Sequence, residues 1–151
     1  GGAQQAAELN DLIYASAQRA RGSYEEMADS VSKIAMTAKK AFPDAHDVVP
    51  FMEGIQKLFV IGGTGVEQQK DAMLQLTQAL GSGKLQGDEF RSIAEAAPLI
   101  EQMVAKYMQI DPGQLKKISS EGKITADILK NSILTNLDLI NDQFGAMGRT
   151  W

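Results

Sequence analysis

The sequence predicts an all-α fold, a compact bundle of about six or seven helices, several of them short. Three observations lead to this class. Apolar residues recur at three- and four-residue steps, helix formers dominate while Val, Ile and Thr do not alternate with polar residues, and helix start and stop residues divide the chain. With 151 residues, the chain is long enough for one compact core. We therefore expect a single helical domain over residues 1–151.

The first two helices are predicted by an apolar stripe and by their ends. Helix one is expected over residues 3–20, with Gly22 ending it. Helix two is expected over residues 24–41, opened by Ser23 and Glu26 as a capping box and stopped by Pro43. The residues expected to face inward are Leu9, Leu12, Ile13 and Ala17 in helix one, and Met27, Val31, Ile34 and Ala38 in helix two.

The next two helices show the same kinds of ends. Pro50 suits the first turn of the third helix, and Gly62 with Gly63 closes it. Thr64 and Glu67 repeat the capping-box pattern and open a fourth helix that reaches about Leu80. The residues expected to be buried are Phe51, Ile55, Leu58 and Phe59 in the third helix, and Val66, Met73, Leu76 and Leu80 in the fourth.

A glycine-rich segment over residues 81–87 separates these helices from the rest. We predict that it is an ordered loop with at least one glycine at positive φ. Asp88 is expected to cap a short helix that ends near Ala96. Pro98 fits the first turn of a sixth helix, which ends near Gln109. Asp111 and Pro112 then begin another short helix, closed by Gly122.

The last helix is expected to be continuous from Thr125 to beyond Phe144. Its apolar residues follow steps of four, four, three and four, and a second apolar line widens that face. Because one face suffices to close the bundle, we expect exposed apolar surface and self-association through the terminal helices. The two lines are Leu129, Ile133, Leu137, Ile140 and Phe144, and Ile128, Leu134 and Leu139. We find no internal repeat, which disfavours a solenoid.

Charge and composition exclude several classes of function. The formal charge is -4, from 15 basic and 19 acidic residues, so no nucleic-acid partner is expected. The absence of cysteine excludes disulfides, thiolate zinc sites and thiol catalysis. The most apolar short run, residues 58–61, is far below the roughly 20 residues that span a bilayer. We expect no membrane segment in this sequence.

No catalytic, cofactor-binding or metal-binding residue is predicted. His46 is the only histidine and lies between two prolines, so we interpret it as a surface imidazole. The Gly81-to-Lys84 run lacks the spacing of a phosphate loop. Asp88 and Glu89 fit helix capping and the positive end of the helix dipole better than acid/base work. Arg91 and Glu95 are expected on a polar face or in a structural ion pair.

The centre of the chain resembles a known family. A Gln-rich helix over residues 73–80 is followed by Gly83-Lys84-Leu85-Gln86-Gly87-Asp88-Glu89-Phe90 and then by Ala97-Pro98. This pattern is similar to the N-terminal region of phage and prophage tail tape-measure proteins, and further matches occur at residues 13–15, 21–24, 119–127 and 150–151. The motif residues that we single out are Gln75, Gln78, Gly83, Lys84, Gly87, Asp88, Glu89, Phe90, Arg91, Pro98 and Gly122.

The resemblance implies a non-enzymatic assembly module that contributes to tail assembly and to tail-length determination. It implies tube subunits and tail assembly chaperones as partners, assembly in the bacterial host cytoplasm and a final place in the virion tail. It also implies that residues 1–151 are a fragment of a much longer chain, because a compact bundle cannot determine length alone. Two alternatives remain open: a helical adaptor that captures a partner helix, and a cryptic hydrolase.

Overall fold

A computed structural model describes residues 2–147. They form nine α-helices, one 3₁₀ turn at Ala45–Asp47 and a ribbon of two very short strands. The helices are α1 (Gly2–Arg19), α2 (Tyr24–Thr37), α3 (Val48–Ile61), α4 (Val66–Ser82), α5 (Gly87–Ala96), α6 (Leu99–Met108), α7 (Pro112–Ser120), α8 (Ala126–Leu134) and α9 (Leu137–Met147). The strands are β1 (Lys84–Leu85) and β2 (Ile124–Thr125), which pair antiparallel. The predicted all-α class is confirmed.

Helix α3 lies at the centre of the first half of the bundle. Its flanks pack against α1, α2, α8 and α9, while α4 packs against α2 and α5, and α6 packs against α7 and α8. Three aromatic side chains, Phe42, Phe51 and Phe59, lie fully inside. The predicted stripe of α3 is confirmed, since Phe51, Ile55, Leu58 and Phe59 are all buried. Burial of α3 from several directions explains why its apolar face is so wide.

Several predicted helix ends are confirmed. The Ser23 hydroxyl accepts a hydrogen bond from the backbone N–H of Glu26 at 3.4 Å and begins α2. Pro112 occupies the first position of α7, after the cap residue Asp111. Thr125 caps α8, because its hydroxyl accepts from the backbone N–H of Ile128 at 3.1 Å. These caps are local interactions within one turn of helix, which is why the sequence alone predicts them.

The predicted capping box at Thr64 and Glu67 is wrong. Gly65 is the cap residue of α4, and no side chain caps that end. The Thr64 hydroxyl instead donates to the backbone carbonyl oxygen of Ala96, at the end of α5. A tertiary hydrogen bond has therefore replaced a local one, and it ties the start of α4 to the end of α5.

Two residues that were expected to be buried are exposed. Leu12 is 42% exposed, because the buried face of α1 is formed by Ile13, Ser16 and Ala17. Val66 is 65% exposed, because it is the first residue of α4 and lines an open groove between α2 and α4. Helix α2 also ends at Thr37, four residues before the expected Ala41.

The glycine-rich segment is shorter than predicted but contains the predicted backbone conformation. Helix α4 continues through Gly81 and ends at Ser82. Gly83 follows with φ of 94°, which confirms a glycine at positive φ. Strand β1 begins at the next residue, so only Gln86 separates it from α5.

The predicted single final helix is divided into α8 and α9 at Thr135 and Asn136. Both parts fold onto the bundle, since α8 packs on α6 and α3 while α9 packs on α3. Ile133, Ile140 and Phe144 are buried as a result. The expected exposed apolar face is therefore wrong for these residues. Leu139 alone of the predicted lines is exposed, at 38%, and Leu137 is half-buried.

A polar cluster lies where α1, α3 and α9 meet. Glu53 of α3 accepts hydrogen bonds from the Arg19 guanidinium at 2.8–3.1 Å and from the Lys57 ammonium at 2.7 Å. Lys57 is buried and donates also to Asn141 Oδ1 at 2.7 Å. Burial raises the pKa of Glu53, but the hydrogen bonds from Arg19 and Lys57 outweigh it and lower the pKa overall.

Candidate functional site

The family-like motif forms two similar units that meet at the β1–β2 ribbon. In each unit a helix ends near a glycine with positive φ, and a two-residue strand and two further helices follow. The glycine is Gly83, with φ of 94°, in the first unit and Gly122, with φ of 69°, in the second. Leu85 pairs with Ile124 in the ribbon, and both side chains are completely buried. The backbone N–H of Ala126 donates to the carbonyl oxygen of Gly83 at 2.8 Å. The ribbon thus joins the α4–α5 and α7–α8 turns.

Glu89 has a structural role in this site. Its carboxylate accepts from the backbone N–H of Gln86 at 2.7 Å, and the Gln86 side chain caps the third residue of α5 in return. The cap residue of α5 is therefore Gln86, and the predicted capping role of Asp88 is wrong. Asp88 lies in the first turn, where a carboxylate still interacts favourably with the helix dipole.

Gly87 allows α5 to approach α7 closely. A Cβ atom at this position would lie 3.2 Å from Ser120 Cα and 3.3 Å from the Ser119 carbonyl oxygen. Both neighbours are backbone atoms, so a side chain at this position would require them to shift by a few tenths of an ångström. Phe90, one turn along α5, is buried. The Gly87 and Phe90 of the motif are therefore packing residues.

A cleft of about 640 Å³ opens beside this contact, between α5, α6 and α7. Phe90, Leu115 and Ser119 are the buried residues of its lining. Its charged lining residues are Asp88, Arg91, Glu101 and Lys116. All four are exposed, and none takes part in a salt bridge within residues 2–147. This arrangement suits recognition of a charged or polar surface.

The remaining motif residues lie away from the cleft. Gln75 is half-buried and Gln78 is exposed on α4. Pro98 precedes α6, and its Cδ atom would lie 3.2 Å from a Cβ placed at Gly62. Lys84 is exposed on the ribbon, where it pairs with Thr125. The structure thus brings Gly83, Lys84 and Gly122 together and leaves Gln75, Gln78 and Pro98 apart.

The predicted surface histidine and polar helix face are confirmed. His46 is exposed in the 3₁₀ turn, and its ring Nδ1 lies 3.0 Å from Asp44 Oδ1. Hydrogen bonds from the His46 backbone N–H and then from its ring lower the pKa of Asp44. Arg91 and Glu95 are both exposed on α5. Within residues 2–147, no group of three or more His, Asp and Glu side chains is arranged to hold a metal ion.

A second concave surface, which we call the α2–α4 groove, was missed by the sequence analysis. It measures about 490 Å³ and is lined on three sides by Met27 of α2, Met52 of α3 and Met73 of α4. Val66 and Leu74 line it too and are 65% and 58% exposed. The available indication was the recurrence of methionine, which adapts to varied apolar partners. The sequence analysis expected Met27 and Met73 to be buried.

The fold and the site define an all-helical structural domain in which motif residues form turns, caps and close helix contacts. The sequence model of the tape measure protein family matches residues 1–151. The chain therefore belongs to the tape measure protein family and has a structural role in the phage tail. No curated protein and no solved structure matches it. Among the described helices, none is long and apolar enough to cross a membrane.

Proposed function

We propose that this domain is a non-enzymatic assembly module of the tail, which takes part in tail assembly and in determining tail length. The observation that supports the proposal is the use of the motif residues. Gly83, Gly87 and Gly122 set backbone geometry, and Glu89 caps a helix. Residues that serve the fold in this way position a surface for partners, and the family match extends over the whole chain.

The partners proposed for this module are tube subunits and tail assembly chaperones. The cleft between α5, α6 and α7 offers Arg91 and Lys116 together with Asp88 and Glu101, all exposed. Rim charges of both signs favour specific recognition and rapid association more than high affinity. Such a surface fits a transient assembly contact in the host cytoplasm before the protein is enclosed in the virion tail.

The test uses a phage or prophage that encodes this domain. We expect in-frame deletion of residues 2–147 to abolish tails or to change their length, as counted and measured by electron microscopy. Leu85→Ala, which removes a completely buried ribbon side chain, should lower the yield of tails in proportion to the loss of folded domain. Gly113→Ala is the matched control, because a Cβ there meets no atom within 4 Å. Normal tail number and length after the deletion would refute the proposal.

A second candidate function is a helical adaptor that captures a partner helix, and the α2–α4 groove favours it. Its lining residues recur at three- and four-residue steps along both α2 and α4, so the groove is about three helical turns long. Leu74→Asp places a charge in this groove, while Leu12→Asp places one on an exposed leucine of α1 outside it. If the groove holds a partner helix, only Leu74→Asp should reduce tail assembly. Equal effects of the two variants would exclude this function.

A further inference from the structure

The apolar pattern of the sequence over α8 and α9 is the pattern expected of one continuous helix. Their apolar residues keep helical spacing from Leu129 to Phe144, and residues 126–144 contain neither proline nor glycine. Nevertheless, α8 ends at Leu134 and α9 begins at Leu137. Sharp kinks in helices usually have a proline, a glycine or an inserted group at the bend. A local contact accompanies the break, because the Asn136 side-chain amide donates to the carbonyl oxygen of Ser132 at 2.7 Å, the acceptor that a continuous helix would offer to the Asn136 N–H. Beyond the break, tertiary contacts hold α9 on the bundle.

The break leaves three backbone donors without a helical acceptor. The N–H of Asn136 bonds to the carbonyl oxygen of Ile133, and the next bond of the series runs from Ile140 to Asn136. In the described structure the N–H groups of Leu137, Asp138 and Leu139 make no backbone hydrogen bond. A continuous helix would give them the carbonyl oxygens of residues 133–135 as acceptors. Thr135 already has right-handed helical angles, φ −82° and ψ −7°.

The contacts that hold the bend lie on α3 and at the end of α1. Gly54 forms a notch in α3, where an added Cβ atom would lie 2.9 Å from Ile133 Cγ2 and 3.3 Å from Leu137 Cδ2. Lys57 donates to Asn141, and the Arg21 guanidinium lies 4.2 Å from the centre of the Phe144 ring. Lys57, which is buried in the bent form, regains water if α9 leaves, and this reduces the cost of separating the two helices.

We propose that Thr135 and Asn136 form a hinge, at which α9 leaves α3 and joins α8 in one helix over residues 126–147. That helix is about 33 Å long. The bent form predominates in the isolated domain because it buries Ile140 and Phe144. The extended form gains three helical hydrogen bonds and aligns the apolar residues of both segments on one side. This conformational change goes beyond the proposed assembly function and does not depend on it.

Filling the space beside Gly54 with a side chain should shift the equilibrium from the bent form toward the extended form. Gly54→Leu inserts a side chain where even a Cβ meets Ile133, and leucine keeps α3 helical. Because the chain contains no cysteine, Lys106→Cys and Gln143→Cys provide two unique positions for spin labels on α6 and α9. Pulsed electron paramagnetic resonance should show one distance for the native background and a second, longer distance with Gly54→Leu. A single unchanged distance would overturn the proposal.

Hydrogen exchange distinguishes straightening from unfolding. In the Gly54→Leu variant we expect the amides of Leu137, Asp138 and Leu139 to exchange at least tenfold more slowly than in the native chain, because they acquire acceptors. The amides of residues 141–147 should remain protected. Loss of protection throughout α9 would show that the helix melts instead, and would overturn the proposal.

A proline at the junction gives the matched control. Leu137→Pro suits the first position of α9 in the bent form but removes the N–H that a continuous helix needs, and its ring collides with the carbonyl of residue 133. Leu137→Ala removes the same side chain without this restriction. In the Gly54→Leu background, the longer spin-label distance should vanish when Leu137→Pro is added and persist when Leu137→Ala is added. A longer distance that persists in both variants would contradict the hinge. If the Gly54→Leu variant fails to fold, the double substitution Asn141→Ala and Phe144→Ala removes two contacts of α9 instead. The same spin-label distances are then measured, and the longer distance is again expected.

Discussion

Replacing Glu53 with glutamine removes the carboxylate that joins α1 to α3. Glu53 accepts from Arg19 at 2.8–3.1 Å and from Lys57 at 2.7 Å. Its side chain is 12% exposed and that of Lys57 is 7% exposed, whereas that of Arg19 is 56% exposed. In the Glu53→Gln variant, Arg19 can be solvated by rotating outward. Lys57 keeps Asn141 but loses its anion inside the protein.

The expected loss in the free energy of unfolding follows from that asymmetry. Removing one partner of a buried ion pair typically costs about 3–5 kcal/mol, because the other charge stays buried and uncompensated. The glutamine carbonyl still accepts one hydrogen bond, so we expect about 3 kcal/mol at pH 7. Adding Lys57→Met removes the uncompensated cation and should restore about 1–2 kcal/mol of this loss.

The same contacts predict how the effect depends on pH. Net lowering of the Glu53 pKa means that folding stabilises its ionised form relative to the unfolded chain, where glutamate titrates near pH 4.3. This stabilisation is fully present above about pH 4.3 and is lost as the pH falls through the lower pKa of the folded state. The difference between native and Glu53→Gln proteins should therefore shrink in acid.

Urea denaturation at pH 7 and at pH 3, followed by circular dichroism, measures both expectations. The reasoning requires a large difference at pH 7, a smaller one at pH 3, and partial recovery with Lys57→Met. A Glu53→Gln variant as stable as the native chain at pH 7 would show that Lys57 is solvated and that the cluster contributes no net stability. An equal loss at both pH values would assign the effect to packing rather than to charge.

Four further substitutions test the site and its surroundings by the same denaturation assay. Leu85→Ala should cost about 2–5 kcal/mol, because the side chain is completely buried in the ribbon; a loss below 1 kcal/mol would contradict its packing role. Gly87→Ala should destabilise the domain by about 1–3 kcal/mol through overpacking against Ser120, whereas Gly113→Ala, in open space, should stabilise it by up to about 1 kcal/mol. Glu95→Gln should change stability by no more than about 0.5 kcal/mol, because Glu95 is exposed.

The sequence predicted those features that depend on a few adjacent residues. The caps at Ser23 and Thr125 and the start of α7 at Pro112 are examples, because each satisfies a helix end within one turn. Thr64 shows where such reasoning fails. Its hydroxyl reaches Ala96, 32 residues away, and no local pattern indicates that a distant carbonyl will replace the nearby donor.

The β1–β2 ribbon was not predictable from alternation. Each strand has two residues, which is too short for an apolar and polar period, and the partners Leu85 and Ile124 lie 39 positions apart. The available indication was chemical. Gly83-Lys84-Leu85 and Gly122-Lys123-Ile124 repeat the order of a glycine, a lysine and an aliphatic residue. The repeat is too short to detect as an internal repeat, yet it places two positive-φ glycines beside two buried strand residues.

The sequence predicted which residues belong to the candidate site, but not how the folded chain brings them together. Gly87 belongs to the motif that resembles the family, but its role depends on Ser119 and Ser120 of another helix. Only the folded chain brings their backbone atoms within 3.3 Å of a Cβ placed at Gly87. The cleft beside that contact likewise combines charges from α5, α6 and α7. A motif of glycines and caps therefore identifies the family through backbone geometry, while the surface available to partners depends on residues outside the motif, such as Glu101 and Lys116. Substitutions at those two positions can separate folding from assembly, because both side chains are exposed.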